Sequence, residues 1–428
     1  MMRGHPTSAY LGNRALDMQA PTGSRDPSSI AATIRDFYER HPYPGYVEGL
    51  DGYRDTAADV PGKRADHHLL WPRLRFREDH TVLVAGCGTM QAVKRAMRWP
   101  QARITGIDIS EASLAQAREI KARYGLDNLQ LHRLPAERVG ELGSTFDEIV
   151  CTGVLHHLPD PDAGLAALRG VLARAGAMHL MVYAPHGRAG VYLIQDYCRR
   201  LGIGSTPGEI RDLAATLRLL PDNHPLWPLL QNSPDFRYDA GLADALLHPQ
   251  DRAYSVPQLL AFVRENGLRF GRWLRQAPYL PHCGTPARSP HFEQLAALDP
   301  AGQFAAMELF RGDMTRHTAI VYRDDAPAGL DPINFGEDGW LDYRPIRRPG
   351  AICVQEMPPP GAAGVLINRQ HTDRDIYLPV DAAGRDIHAA IDGEATVRDL
   401  LARHAPAAGS RFFERLWDHD QIVFDAVG

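Results

Sequence analysis

The stretch Thr81–Ser110, TVLVAGCGTMQAVKRAMRWPQARITGIDIS, constrains the fold of this chain more than any other. Val82, Leu83, Val84 and Ala85 form a short apolar run, the pattern of a strand buried on both faces. Gly86-Cys87-Gly88 follows at once, where two glycines allow a sharp turn and a close ligand approach. Met90 to Trp99 has helical composition and Pro100 closes it. Ile104 to Ile109 is a second strand with Asp108 at its carboxyl end. Asp108 stands about 20 residues past the glycines, the offset at which a carboxylate receives ribose hydroxyls. The unit reads as a nucleoside-binding βαβ element. Gln91 occupies the third glycine position of the dinucleotide fingerprint, which disfavours a pyrophosphate and hence NAD.

The rhythm continues beyond it. A helix is expected over Glu111 to Tyr124, ended by Gly125, and strands over Asn128 to Leu134 and Phe146 to Thr152. Gly153-Val154-Leu155-His156-His157-Leu158-Pro159 then leaves the fourth strand at the edge where open α/β sheets bind ligands. A helix over Asp162 to Leu172 and a strand over Gly176 to Tyr183 follow. Residues 186 to about 265 break the pattern with helical and proline-punctuated segments. Gly267 to Trp273 and Thr318 to Tyr322 supply the last strands, around a helix from Pro300 to Arg316. Upstream, a helix starting after Ser28 and Ser29 stops at His41-Pro42, before Tyr43-Pro44-Gly45-Tyr46.

The stretches VLVAGCGTM, ITGIDIS, FDEIVCTGVLHHLPDP and LRGVLARAGAMHLMVYAP, in this order, resemble the class I S-adenosylmethionine-dependent methyltransferases. FYERHPYPGY resembles a segment ahead of the core in one bacterial subfamily, as does the YSVPQL helix start. The resemblance implies a Rossmann-like seven-stranded sheet in residues 28–325, with the insertion at about 186–265 as a cap over the acceptor substrate. It implies S-adenosyl-L-methionine as cofactor, bound by Gly86, Cys87, Gly88, Asp108, Ile109, Ala136 and Thr152. Tyr43 would close over it. Three positions depart from the family: Val84 replaces an acid on the first strand, Met90 a glycine, and Pro135 an aspartate that faces the adenine. Glu137 or backbone amides take that last part. His157 is the candidate base, set against a reading in which the histidine pair only shapes its loop. No metal is expected, because adjacent histidines on a loop lack further ligands. Asp235, His248, Asp251, Arg252 and Tyr254 are the polar candidates of the insertion.

The formal net charge of −5 gives no global attraction to nucleic acid or an anionic membrane. Five scattered cysteines without a CxxC pair fit a reduced, cytoplasmic protein. Residues 1–27, polar and rich in Gly, Pro and Ser, read as a disordered tail. Residues 326–339 read as a linker. Residues 340–428 read as a small α+β winged-helix-like module, similar over IDGEATVRDLL to PqqD-like peptide-recognition modules. Together these features predict a methyltransferase acting on a small molecule or peptide-like acceptor, a homodimer being possible. The alternative is an inactive methyltransferase-fold scaffold that binds a protein partner through its C-terminal module.

Overall fold

The computed structural model describes residues 26–44, 49–327, 329–330, 332–336, 338–404 and 409–427. The tail reading for residues 1–25, and Gly45 and Tyr46, lie outside the described residues. Seven strands form the central sheet: β1 (Thr81–Ala85), β2 (Arg103–Asp108), β3 (Leu129–Arg133), β4 (Phe146–Thr152), β5 (Leu172–Tyr183), β6 (Leu268–Trp273) and β7 (Arg316–Arg323). Their order is β3-β2-β1-β4-β5-β7-β6. β7 runs antiparallel to both β5 and β6, while β3, β2, β1, β4 and β5 are mutually parallel. The strand order reverses between β1 and β4, so the carboxyl ends of β1, β2 and β4 open a crevice there.

β1 explains why its run is apolar throughout. Leu83 and Ala85 enter the core on one face of the sheet, and Val82 and Val84 the core on the other. Both faces are covered, so period two places every residue of the run out of water. The helix Gln91–Arg98 buries Ala92, Val93, Ala96 and Met97 on the second face. Ser110 caps the helix Glu111–Tyr124 and Gly125 ends it in the left-handed conformation.

Several boundaries differ from the sequence reading. Asp26, not Ser28 or Ser29, caps the first helix, Pro27–Arg40, whose first residue is a proline. β5 begins at Leu172, directly after the helix Pro161–Val171. The helix expected to reach Arg316 ends at Arg311, because Gly312 takes a positive φ and β7 already starts at Arg316. Its apolar residues split: Phe304 and Met307 are buried, whereas Leu309 and Phe310 face solvent.

The insertion after β5 supplies helices Ala189–Leu201, Pro207–Leu217, Trp227–Asn232 and Asp239–Leu247. They share a core with Phe37 of the first helix, built on Val191, Ile210, Leu213, Leu226 and Leu246. The helix Pro207–Leu217 is fixed by a capping box between Thr206 and Glu209. Helix Val256–Glu265, which belongs to the same stretch of sequence, packs instead under the sheet through Val256, Leu259 and Phe262.

The C-terminal residues form β8 (Arg344–Arg347) to β12 (Ile422–Asp425), with β9 (Ala351–Val354), β10 (Gly364–Asn368) and β11 (Leu378–Val380) between them. β11-β10-β9 is one antiparallel sheet; the closing strand β12 pairs with β8 instead. Three helices, Ala382–Ala390, Val397–Arg403 and Arg411–Asp418, pack around Leu366, Ile387, Leu400, Phe413 and Phe424. This unit is not separable by its packing. Ile346 and Val423 join Leu69, Trp71, Ile320 and Tyr322 in a common core. The stretch read as a linker takes part as well: Leu330 enters that common core and Ile333 the C-terminal one.

Candidate active site

At the end of β1 the chain turns through Gly86 at φ +63° and Gly88 at φ +52°. Both positions also lack room for a side chain. A Cβ on Gly86 would stand 2.2 Å from Val154 Cγ2, and one on Gly88 2.4 Å from the Tyr43 carbonyl oxygen. The Tyr43-Pro44 segment therefore lies directly on the glycine turn. Thr89 Oγ1 donates to the Pro44 carbonyl at 2.6 Å. The preceding residues are tied down too, since Glu39 accepts from the Glu111 and Ala112 amides, each at 2.9 Å.

Asp108 sits at the tip of β2. Its carboxylate accepts from Gly88 N at 2.8 Å and Ser110 N at 2.9 Å, one bond to each oxygen. Burial pushes its pKa up and outweighs these backbone amides. Each oxygen keeps a further lone pair for a ribose hydroxyl. Cys87 is buried beside it, and burial holds its thiol well above the ordinary range, so it is inert.

A cleft of about 790 Å³ opens over these groups. Gly86, Cys87, Gly88, Asp108 and Ile109 line it at one end, with Ala136 and Thr152. Thr152 Oγ1 accepts from Gln91 Nε2, so the residue in the third-glycine position braces the end of β4. Tyr43 and His157 line the same cleft. Glu137 does not: the 3-10 turn Ala136–Leu142 presents Ala136 to the cleft and leaves Glu137 outside its lining. The expectation for Glu137 is corrected accordingly.

The other end of the cleft is built where the first helix and the insertion meet the sheet edge. Tyr38, Tyr183, Arg188, Asp235 and Asp244 line it. Asp244 accepts from Tyr38 Oη at 2.9 Å and Tyr183 Oη at 3.5 Å. Asp235 accepts from Tyr43 Oη at 2.9 Å and Tyr238 Oη at 3.2 Å. Arg188 lies 3.5 Å from the Tyr183 ring centroid and pairs with Asp251 at 3.4 Å.

His157 lies in the short 3-10 turn Leu155–His157, 3% exposed. Its Nδ1 is 2.7 Å from the Gln250 carbonyl oxygen and must donate to it, which leaves a lone pair on Nε2. That Nε2 is buried without a partner. The His248 ring lies against it, tilted by 36°, with ring centroids 3.8 Å apart. The His156 ring lies 4.2 Å from that of His157 and 4.0 Å from that of Tyr183. The loop histidines do acquire further ligand-type neighbours, contrary to expectation: Asp251 joins His156 and His157, while Asp244 and His248 join His157, with the atoms of each group within 4.8 Å. His248 Nδ1 accepts the Gln250 amide at 3.1 Å, so its Nε2 carries the proton and has no lone pair to give a metal.

Of the polar candidates in the insertion, Asp235 reaches the cleft, while His248 and Asp251 gather around His157. Tyr254 is buried in the core under the sheet, and Arg252 meets the loop through its backbone, donating to the His156 carbonyl at 3.1 Å. Asp244, Tyr38, Tyr183 and Arg188 were not singled out by sequence. Only Tyr183 carried a signal, its place at the carboxyl end of a strand; the others arrive by tertiary packing.

Residues 83–178 match the family model described as a methyltransferase domain. The strand order and the glycine–aspartate cradle agree with that match. The cradle fits S-adenosyl-L-methionine as cofactor: a Cβ-free turn at its edge, a carboxylate at the ribose position, and a cleft of sufficient size.

The chain is 38% identical over 261 residues to an uncharacterized protein, syc1184_c, of Synechococcus, a match covering 57% of this chain and 60% of that one. It is 25% identical over 194 residues to the tRNA U34 carboxymethyltransferase of Vibrio cholerae, covering 45% and 58%. The matches thus span about 60% of these relatives' lengths. In fold it is similar to PKMT2 from Rickettsia typhi, with a TM-score of 0.58 at 15% identity, covering 89% of this chain and 76% of that one. Among the described residues no helix is long and apolar enough to cross a membrane.

Proposed function

We propose that this protein transfers the methyl group of S-adenosyl-L-methionine to a small-molecule or peptide-like acceptor that enters beneath the insertion. One observation carries the reading: a single cleft runs from the glycine turn and Asp108 to His157, Asp244 and Tyr183. Cofactor and acceptor can therefore share one cleft. The bound cofactor supplies an activated methyl on its sulfonium.

The chain's own residues orient, enclose and move a proton. Asp108 receives the ribose hydroxyls. Gly86 and Gly88 let the backbone approach the amino-acid part. Tyr43, seated on the turn, forms a wall that excludes water. An acceptor must stand in line behind the methyl at about 3–3.5 Å. The free lone pair of His157 Nε2 makes it the group to take the acceptor's proton. Gln250 holds its tautomer, the part a carboxylate plays in a catalytic triad.

Calorimetric titration with S-adenosylmethionine and S-adenosylhomocysteine tests the reading. Micromolar binding that disappears in Asp108→Ala supports it. Absence of binding in the native protein supports the scaffold alternative, which needs no cofactor affinity.

A further inference from the structure

The acceptor end of the cleft contains two carboxylates, Asp235 and Asp244. Among the described residues, neither Asp235 nor Asp244 forms an ion pair with lysine or arginine. Asp244 is 5% exposed, and a buried carboxylate without a cation is costly. The nearby Arg188 does not fill that place, because its pair is Asp251 and its plane lies on Tyr183. Tyrosine hydroxyls occupy part of each carboxylate, and burial holds the hydroxyls of Tyr38, Tyr43 and Tyr183 in their neutral, donating form. The rings of these three tyrosines line the cleft beside the acids. Carboxylates flanked by tyrosine rings are a setting that attracts an organic cation. Burial pushes the Asp244 pKa up, so that acid ionises best against a cation, not against an acceptor that must become an oxyanion.

A second observation points to the same place. His157 Nε2 bears a lone pair, is buried and has no partner. A ligand atom of His157 lies within 4.8 Å of one of Asp244. A base beside the Asp244 carboxylate suits a group that arrives positively charged and must lose one proton to react.

Resting on the methyltransferase reading above, we propose that the acceptor is an alkylamine, held as its ammonium by Asp244 and Asp235 among the tyrosines and deprotonated by His157. The ammonium gives one proton to His157 Nε2 and becomes a neutral amine. The nitrogen lone pair then forms the N–C bond as the S–C bond breaks, and that electron pair stays on sulfur. The products are an N-methylammonium, S-adenosylhomocysteine and a protonated His157, which returns its proton to solvent.

The test uses the full-length protein with deuteriomethyl S-adenosylmethionine and a metabolite and peptide extract, with labelled products read by mass spectrometry. The expected label is an N-methyl group. Asp235→Asn, at a half-buried position, should raise KM for that amine at least tenfold, with S-adenosylhomocysteine affinity within twofold of native. Asp244→Asn should act the same way, and His157→Gln should lower kcat about 100-fold or more. A labelled O-, S- or C-methyl product would overturn the amine assignment while leaving methyl transfer intact. A tenfold loss of S-adenosylhomocysteine affinity in Asp235→Asn would also overturn it, by showing that the acids serve the cofactor's own ammonium. No labelled product of any kind would sink the methyltransferase reading beneath it.

Discussion

Asp108 and the two glycines show how much one residue can carry. Asp108→Ala removes an acceptor for two backbone amides as well as the proposed ribose contact. Cofactor binding should weaken by about 1.5–3 kcal/mol, the range for hydrogen bonds to a charged group, as read by calorimetry. The pH dependence has a definite sign. Burial raises the Asp108 pKa, so on acidification the carboxylate is lost earlier than an ordinary aspartate would be. Cofactor affinity should therefore start to fall above the usual aspartate range, and titrations at descending pH check this. Gly88 and Gly125 form a matched comparison. Both have positive φ, but a Cβ on Gly125 meets nothing within 4 Å while one on Gly88 meets the Tyr43 carbonyl. Gly125→Ala should cost only about 1 kcal/mol for the left-handed backbone, seen in thermal or urea melts. Gly88→Ala should cost more and also reduce cofactor affinity, because the Tyr43 segment must lift off the turn.

At the level of elements, the proposed acceptor chamber is a joint product of the first helix and the insertion. Tyr38 and Tyr43, from the N-terminal part, reach Asp244 and Asp235 from the insertion, more than 190 residues away in sequence. Phe37 anchors this pairing in the insertion's own core. Tyr43→Phe keeps the ring and removes one hydrogen bond to Asp235. The expected result is a native far-UV spectrum with weaker acceptor binding, by about 1.5–3 kcal/mol if Asp235 is ionised. An unchanged KM would show that this bond does not organise the chamber. The resemblance implied a cap for the insertion. It could not say which acids face inward, because helices such as Asp239–Leu247 bury nearly every side.

For the whole molecule, the decisive feature is the seam between the methyltransferase domain and the C-terminal unit. Deleting residues 340–428 would expose Leu69, Trp71, Ile320 and Tyr322. The truncated chain should fail to give a cooperative melt, whereas an independent module would leave cofactor binding intact. Asp420, fully buried, joins the two halves. It accepts from Arg272 at 3.0 Å and Arg348 at 2.9 Å, from His371 at 3.0 Å, and from the Gln276 and Ala277 amides. Burial alone would raise its pKa, but His371 and the two arginines outweigh it and hold the carboxylate at about 2. Its folded pKa is thus depressed from an unfolded value near 4. The stability it gives is present above that unfolded value and is lost as pH falls toward 2. The contribution is roughly 2 kcal/mol. Urea melts at pH 5 and pH 3 should show native protein losing more stability between them than Asp420→Asn.

The sequence by itself determined the βαβ core. Its apolar runs, glycine turn and strand-tip acid obey local periodicity, and local rules survive any tertiary setting. Gly86, Gly88, Asp108, Ala136 and Thr152 were legible for that reason, and all fall on one cleft. The tertiary structure decided the rest. The 3-10 turn Ala136–Leu142 presents Ala136 to the cleft and not Glu137. Asp244 entered it because helix packing, not spacing, aims a side chain. The supposed linker became part of two cores because Leu330 and Ile333 had apolar surface to bury, and composition rich in turn residues hid them. Contacts that span hundreds of residues leave no period in the sequence, so only the folded chain shows that Tyr38, Tyr43, Asp235 and Asp244 converge in one cleft.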